Sequence, residues 1–193
     1  MLDVINTGTP EGFRDLVIIF TLLDSGLMVT ELATLQLDDL RLEEGILKVM
    51  GKGNRERLIL IEKQVRRYLH RYLSYCRPEP ASPRFGHVFL NADGRPLSRN
   101  RIRCRMAAYG RKASLRGVRV SPHTLRHTAA VTFLRNGGDV FSLQRLLGHS
   151  SLEMTRHYCE LADVDLKRAH ATASPVDNLI FPTVSGRPRY PGK

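Results

Sequence analysis

The chain has 193 residues, 42% of them apolar and 25% charged, enough for one sizeable hydrophobic core in a single domain. Its 30 Lys and Arg against 19 Asp and Glu leave a formal charge of +11, which favours a polyanionic partner, because clustered cations gain free energy by releasing counterions from nucleic-acid phosphates. No apolar run is long enough to span a bilayer and no signal-peptide pattern opens the chain, while the three cysteines, Cys76, Cys104 and Cys159, lack the spacing of a disulfide framework or a zinc ribbon. A soluble, cytoplasmic protein is expected.

Thr9 followed by Pro10 predicts an N-cap with proline at the first helical position, and Phe13, Leu16, Val17, Phe20 and Leu23 recur at helical spacing until Gly26. A second short helix is expected over Thr30 to Leu37. The segments ILKVM and RLILI, joined by the polar GKGNRE, predict a β-hairpin with Lys52 in its turn. Helices are expected over Glu62 to Tyr75 and Ser98 to Lys112, with the apolar patch HVFL between them. Ser121 and Pro122 repeat the cap signal for a helix closed by Gly137 and Gly138; Asp139 caps VFSLQRLL, and Ser150 with Glu153 reads as a capping box opening the helix that carries Tyr158. The fold class is therefore mainly α with a small antiparallel β-sheet (α+β). After Ala173 the tail is rich in Pro, Gly and Arg and cannot bury enough apolar surface to order itself alone.

Between Gly94 and Gly138 there is no Asp or Glu, while arginines recur throughout. A solvated basic face is the plain explanation of a charge run, but the length of this acid-free span favours a phosphate-contacting surface, with Arg99, Arg101, Arg103, Arg105, Arg111 and Lys112 as candidate DNA contacts. An anionic membrane would instead call for large apolar residues opposite the basic face, and RNRIRCRMAAYGRK offers mainly small ones.

His123, Arg126 and His127 fall at i, i+3 and i+4, so they share one helix face. The HxxxH pair has metal-ligand spacing, but HTLRH lacks the glutamate of HExxH and puts an arginine between the histidines, so no metal is assigned. A phenol with an ordinary pKa near 10 needs a base or a positive field to act as a nucleophile. His123, His149 and Arg126 can provide these for Tyr158. Guanidinium groups stabilise charge growing on phosphate oxygens, and a lysine on a turn can protonate a leaving oxygen, the role that suits Lys52.

In this order and spacing, GLMVTEL, GKGNRER, HTLRHTAAVTFLRNG, LGHSSLEMTRHY and DLKRAH resemble the catalytic domain of the tyrosine recombinases, the phage-integrase family, from about Thr9 to Ala171. The resemblance implies the tyrosine-recombinase catalytic-domain fold over residues 1–173 and a tail at 174–193 that docks in trans on a neighbouring protomer, through Leu179, Ile180 and Phe181, or is disordered. It further implies site-specific recombination of double-stranded DNA through a 3′-phosphotyrosine, with no metal or cofactor. The expected assembly is a free monomer that forms a homo-oligomer, a tetramer, on DNA, in a bacterium or on a phage or mobile element. By the same resemblance Tyr158 is the nucleophile, Arg126 the second arginine, His123 the acid/base, His149 the residue orienting the phosphate, Lys52 the general acid, and Glu31 a supporting acid.

One position departs from the pattern. Met28 stands where the family has its first arginine, and a thioether neither carries charge nor donates a hydrogen bond. Impaired cleavage is therefore expected, and a DNA-binding module without catalysis is the alternative. A type IB topoisomerase uses similar phosphotyrosine chemistry, but the spacing from LGHS to Tyr158 resembles integrases more. The match is to the catalytic domain alone, without the N-terminal DNA-clamping domain that the family usually carries.

Overall fold

The first helix begins where Thr9 and Pro10 place it. In the computed structural model, which describes residues 1–51, 56–115 and 117–162, the Thr9 hydroxyl accepts a 3.2 Å hydrogen bond from the Gly12 amide. Helix α1 then runs over Pro10–Ser25. Gly26 ends it at φ 61°, its amide returning to the Leu22 carbonyl, a left-handed cap that glycine adopts without a Cβ penalty. Nearly the whole circumference of α1 is buried, Phe13, Leu16, Val17, Ile18, Ile19 and Leu22 among it, so α1 is the central element of the core rather than an amphipathic surface helix.

Helix α2 is shorter than its sequence suggests. It covers Val29–Thr34 instead of reaching Leu37, because the next residues pair with another segment: Val88 donates to the Leu35 carbonyl and Leu37 to that of Gly86, at 2.9 and 2.8 Å. Those cross-links draw Leu35 into extended backbone and leave Leu37–Asp39 as a separate 3₁₀ turn. The HVFL patch is thereby tied to the core, with Val88, Phe89 and Leu90 buried.

The predicted hairpin is present as β2 (Ile46–Met50) and β3 (Glu56–Leu60), and a two-residue strand, β1 (Leu40–Arg41), adds a third member in the order β1-β2-β3, all antiparallel. Leu47 pairs with Ile59 and Val49 with Arg57 on one ladder, so strand alternation puts Arg57 on the same face as buried Ile59. Lys52, which falls between β2 and β3 in the sequence, lies outside the described residues, as does the tail from 163 onward with Leu179, Ile180 and Phe181.

Helix α3 spans Lys63–Tyr75 and α4 Arg99–Lys112, the latter capped by Ser98. Ser121 caps α5 (Pro122–Arg135), and Asp139 accepts from the Phe141 and Ser142 amides to cap α6 (Val140–Leu147). Helix α7 (Glu153–Ala162) departs from its expected start. The Leu152 carbonyl receives the Thr155 and Arg156 amides, so Glu153 sits in the first turn rather than at the third position that a capping box with Ser150 requires.

Two apolar clusters result. The larger joins α1 to Leu47, Ile59, Val65, Leu69, Tyr72, Phe89, Ile102, Met106 and Leu125; the smaller holds Ala130, Leu134, Leu143, Leu147, Tyr158 and Ala162. Helix α5 contributes to both, Leu125 to the first and Ala130 with Leu134 to the second.

Candidate active site

Arg126 projects from α5 between two helix ends. Its Nη1 donates to the Gly26 carbonyl at the end of α1, and its Nη2 to the Leu147 carbonyl, the last residue of α6, at 2.7 Å. Helix C-termini expose unpaired carbonyls with negative partial charge, which a guanidinium satisfies. Burial pushes its pKa down, an effect opposed by nearby Glu31 and Tyr158 and reinforced by Arg57. With five N–H donors and two of them spent, Arg126 is held rigidly and keeps donors for an anion.

The cap of α6 sets His149. Gly148 adopts φ 67°, and the His149 amide returns to the Gln144 carbonyl at 3.1 Å. The His149 ring then reaches α7, where Nδ1 meets Thr155 Oγ1 at 2.9 Å, leaving Nε2 for the cavity. Burial, then the charges of Arg126 and Arg57, push the His149 pKa down, so the neutral ring predominates near pH 7.

Tyr158 is 6% exposed, on the inner face of α7. Its ring lies near parallel to that of His149, with centroids 6.1 Å apart, and 5.1 Å from that of His127. Burial raises the phenol pKa and Arg126 opposes the rise. The hydroxyl makes no hydrogen bond among the described residues. On α5, His123 and His127 meet edge to face with their Nε2 atoms 2.7 Å apart.

These groups line one open cavity of about 1080 Å³, with Met28, Arg57, His123, Arg126, His127, Gly148, His149, His157 and Tyr158 in its wall. Four candidates named from sequence, His123, Arg126, His149 and Tyr158, therefore converge, and Met28 faces them at 38% exposure. Glu31 stands behind the wall, buried, where it accepts from the Met28 amide at 2.8 Å and from Arg57 Nη1 and Nη2 at 2.6 and 3.1 Å. Among the described residues no group of three or more His, Cys, Asp or Glu gathers as a metal site, and no helix is long and apolar enough to cross a membrane.

Sequence reasoning passed over Arg57, His157 and Thr155. Arg57 left a signal: in a strand read by alternation, it shares the inward face with Ile59. The α4 cations lie elsewhere. Arg99, Arg101, Arg103, Arg111 and Lys112 are exposed, as a phosphate-contacting surface requires. Arg105 differs, because it turns inward to an ion pair with Asp15 on α1 and donates to the Tyr109 hydroxyl at 2.9 Å. Asp15 is itself buried and also holds Arg14 at 2.8 Å, so Arg105 is committed to packing α4 on α1.

The sequence model of the phage integrase family matches residues 1–164. The chain is 35% identical over 177 residues to the tyrosine recombinase XerD of Listeria monocytogenes, covering 91% of this chain and 59% of that protein. It is 38% identical over 175 residues to XerD of Xanthomonas campestris, covering 87% and 54%. The chain thus spans little more than half the length of these relatives. Among solved structures, XerA recombinase superposes with a TM-score of 0.72 at 30% identity over 84% of this chain and 59% of that one. XerH site-specific recombinase bound to its palindromic difH substrate has the same fold, with a TM-score of 0.72 at 24% identity over 91% and 49%.

Proposed function

The chain belongs to the phage integrase family of tyrosine recombinases, and from that premise we propose that it cleaves and rejoins double-stranded DNA at a specific site through a 3′-phosphotyrosine. The observation that carries the reading is the convergence of Arg126 from α5, His149 from the turn after α6 and Tyr158 from α7 on one cavity. Tyr158 Oη attacks the scissile phosphorus, the bond from phosphorus to the 5′ oxygen breaks, and the tyrosine–phosphate bond forms. The phenolic proton passes to an imidazole, His123 in the family's assignment. The departing 5′ oxygen takes a proton from Lys52. Arg126 and His149 Nε2 donate to the non-bridging oxygens, where negative charge grows in the transition state. The reaction conserves bond energy and reverses when a 5′ hydroxyl attacks the phosphotyrosine, so rejoining needs no cofactor. Full recombination calls for copies of the chain paired on two DNA sites, monomeric when free.

A second reading, a DNA-binding module without cleavage, is favoured by one observation: an uncharged Met28 side chain lines the cavity.

The test begins with selection of a binding site from a random duplex library by the full chain. A duplex carrying that site, with a nick beside the scissile phosphate, traps the adduct because the short leaving strand diffuses away. A protein–DNA band that survives denaturant, and is lost in Tyr158→Phe, is the expected result. Site-specific binding with no such band from either the unaltered chain or Met28→Arg overturns the cleavage reading.

A further inference from the structure

The cavity contains a second guanidinium that the assigned roles leave unused. Arg57 enters it from β3, on the sheet face shared with Ile59. The Glu31 carboxylate grips it in two-pronged fashion at 2.6 and 3.1 Å, and the same Glu31 oxygen that receives Arg57 Nη2 also receives the Met28 amide at 2.8 Å. One carboxylate oxygen therefore separates the Arg57 guanidinium from the backbone of residue 28. On its other side Arg57 lies over Gly148, where a Cβ would stand 2.8 Å from Nη1. Leu147, the neighbour of Gly148, accepts from Arg126, so the two guanidinium groups flank one turn, next to His149.

A structural role accounts for part of this arrangement, since a buried Glu31 needs a cation. It does not account for all of it. Arg57 Nε is buried and meets no acceptor among the described residues, and no bulkier residue than Gly148 keeps the guanidinium out of the cavity. Two guanidinium groups lining one cavity, only one of them bonded to a carboxylate, suit an anion of more than one oxygen.

Resting on the proposed function, we infer that Arg57 is a catalytic residue that contacts the scissile phosphate, supplying from β3 the positive charge that Met28 does not supply from the start of α2. Glu31 positions it. The β2–β3 hairpin thus delivers a guanidinium, by the side chain of Arg57, to the same oxygens that Arg126 and His149 address.

The experiment pairs Arg57→Met with Glu31→Gln, so that no buried carboxylate is left without a partner, and adds Arg57→Lys and the triple change Arg57→Met, Glu31→Gln, Met28→Arg. Inorganic phosphate is titrated into the full chain while the imidazole resonances of His149 and His123 are followed, which restricts the readout to this cavity. Loss of Arg57 is expected to weaken phosphate binding roughly 10- to 100-fold, as for removal of a charge-assisted contact, with partial retention in Arg57→Lys and recovery in the triple variant. Equal phosphate affinity with and without Arg57 overturns the inference. On the nicked duplex, the double variant is expected to lose adduct formation on the order of 100-fold or more at saturating DNA, with site binding nearly unchanged. An adduct from the double variant as fast as from the unaltered chain overturns the inference and leaves the proposed function standing. If neither the unaltered chain nor Met28→Arg forms an adduct, the cleavage reading fails instead, and the phosphate titration alone judges Arg57.

Discussion

His123 and His127 can hold only one proton between their facing nitrogens: the Nε2 atoms are 2.7 Å apart, and the contact requires one neutral ring as acceptor. Burial pushes the His127 pKa down, and His123, His157 and Arg126 push it further; His149 is lowered by burial and by Arg126 and Arg57. Both rings therefore bind protons less readily folded than unfolded. By linkage the unfolded chain takes up more protons as pH drops through the ordinary histidine range, near 6.5. This part of the stability is complete above that value and is lost as pH falls toward the lowered folded pKa values. Thermal melts from pH 7.5 down to 5.5 should show a falling midpoint, and His127→Asn should flatten the dependence. A midpoint independent of pH in that window would contradict the assignment.

Arg126 should matter to the fold as well as to cleavage. Because it closes the carbonyl ends of α1 and α6, Arg126→Ala is expected to cost about 2–3 kcal/mol, the range for buried charge-assisted bonds. Urea denaturation measures it, and Arg126→Lys, which keeps charge but not the two-pronged reach, should recover only part. An unchanged denaturation midpoint in Arg126→Ala would show that the two carbonyls do not depend on it.

Tyr158→Phe removes an oxygen with no hydrogen-bond partner among the described residues. Stability should change by less than about 0.5 kcal/mol, and site binding should be retained, while the denaturant-resistant adduct disappears. A large loss of stability would mean that Oη is engaged in the folded state.

The arginines of α4 divide into two kinds. Replacing exposed Arg101 or Arg103 with Ala should reduce the salt dependence of DNA binding by about one phosphate contact each. Arg105→Ala should leave that slope nearly alone and lower the melting temperature, because buried Asp15 loses one of its two guanidinium partners and keeps only Arg14 and the Tyr109 hydroxyl. A salt slope that falls equally in Arg105→Ala would place Arg105 on the DNA surface after all.

The helix boundaries were legible wherever a side chain closes a backbone group locally, as at Thr9, Ser98, Ser121 and Asp139, or wherever glycine ends a helix, as at Gly26. They were misread where distant chain segments compete for the same groups. Leu35 and Leu37 leave the helical pattern because residues 86–88 claim their hydrogen bonds, and β1 is too short to show a pattern of its own. The same division holds for the site. Motif spacing on α5, in the turn after α6 and on α7 brought out His123, Arg126, His149 and Tyr158, whereas Arg57 is brought to the cavity by Glu31, 26 residues away in sequence. Arg105 reads as one more cation in a basic run until Asp15, 90 residues distant, takes it.

Helix α5 carries side chains of both apolar clusters, and the cavity opens along the seam between them. The six-residue cluster is the smaller of the two, and a unit that buries less apolar area opens at lower free energy than the molecule as a whole. Tyr158 belongs to that unit, while Gly26, which anchors Arg126, ends the helix at the centre of the larger one. A transient parting of α6 and α7 from the rest would then carry the nucleophile away from the phosphate without unfolding the main body. Amide exchange faster in α7 than in α1 would be its trace, and the chain would hold in reserve a disengaged form in which bound DNA is left uncut.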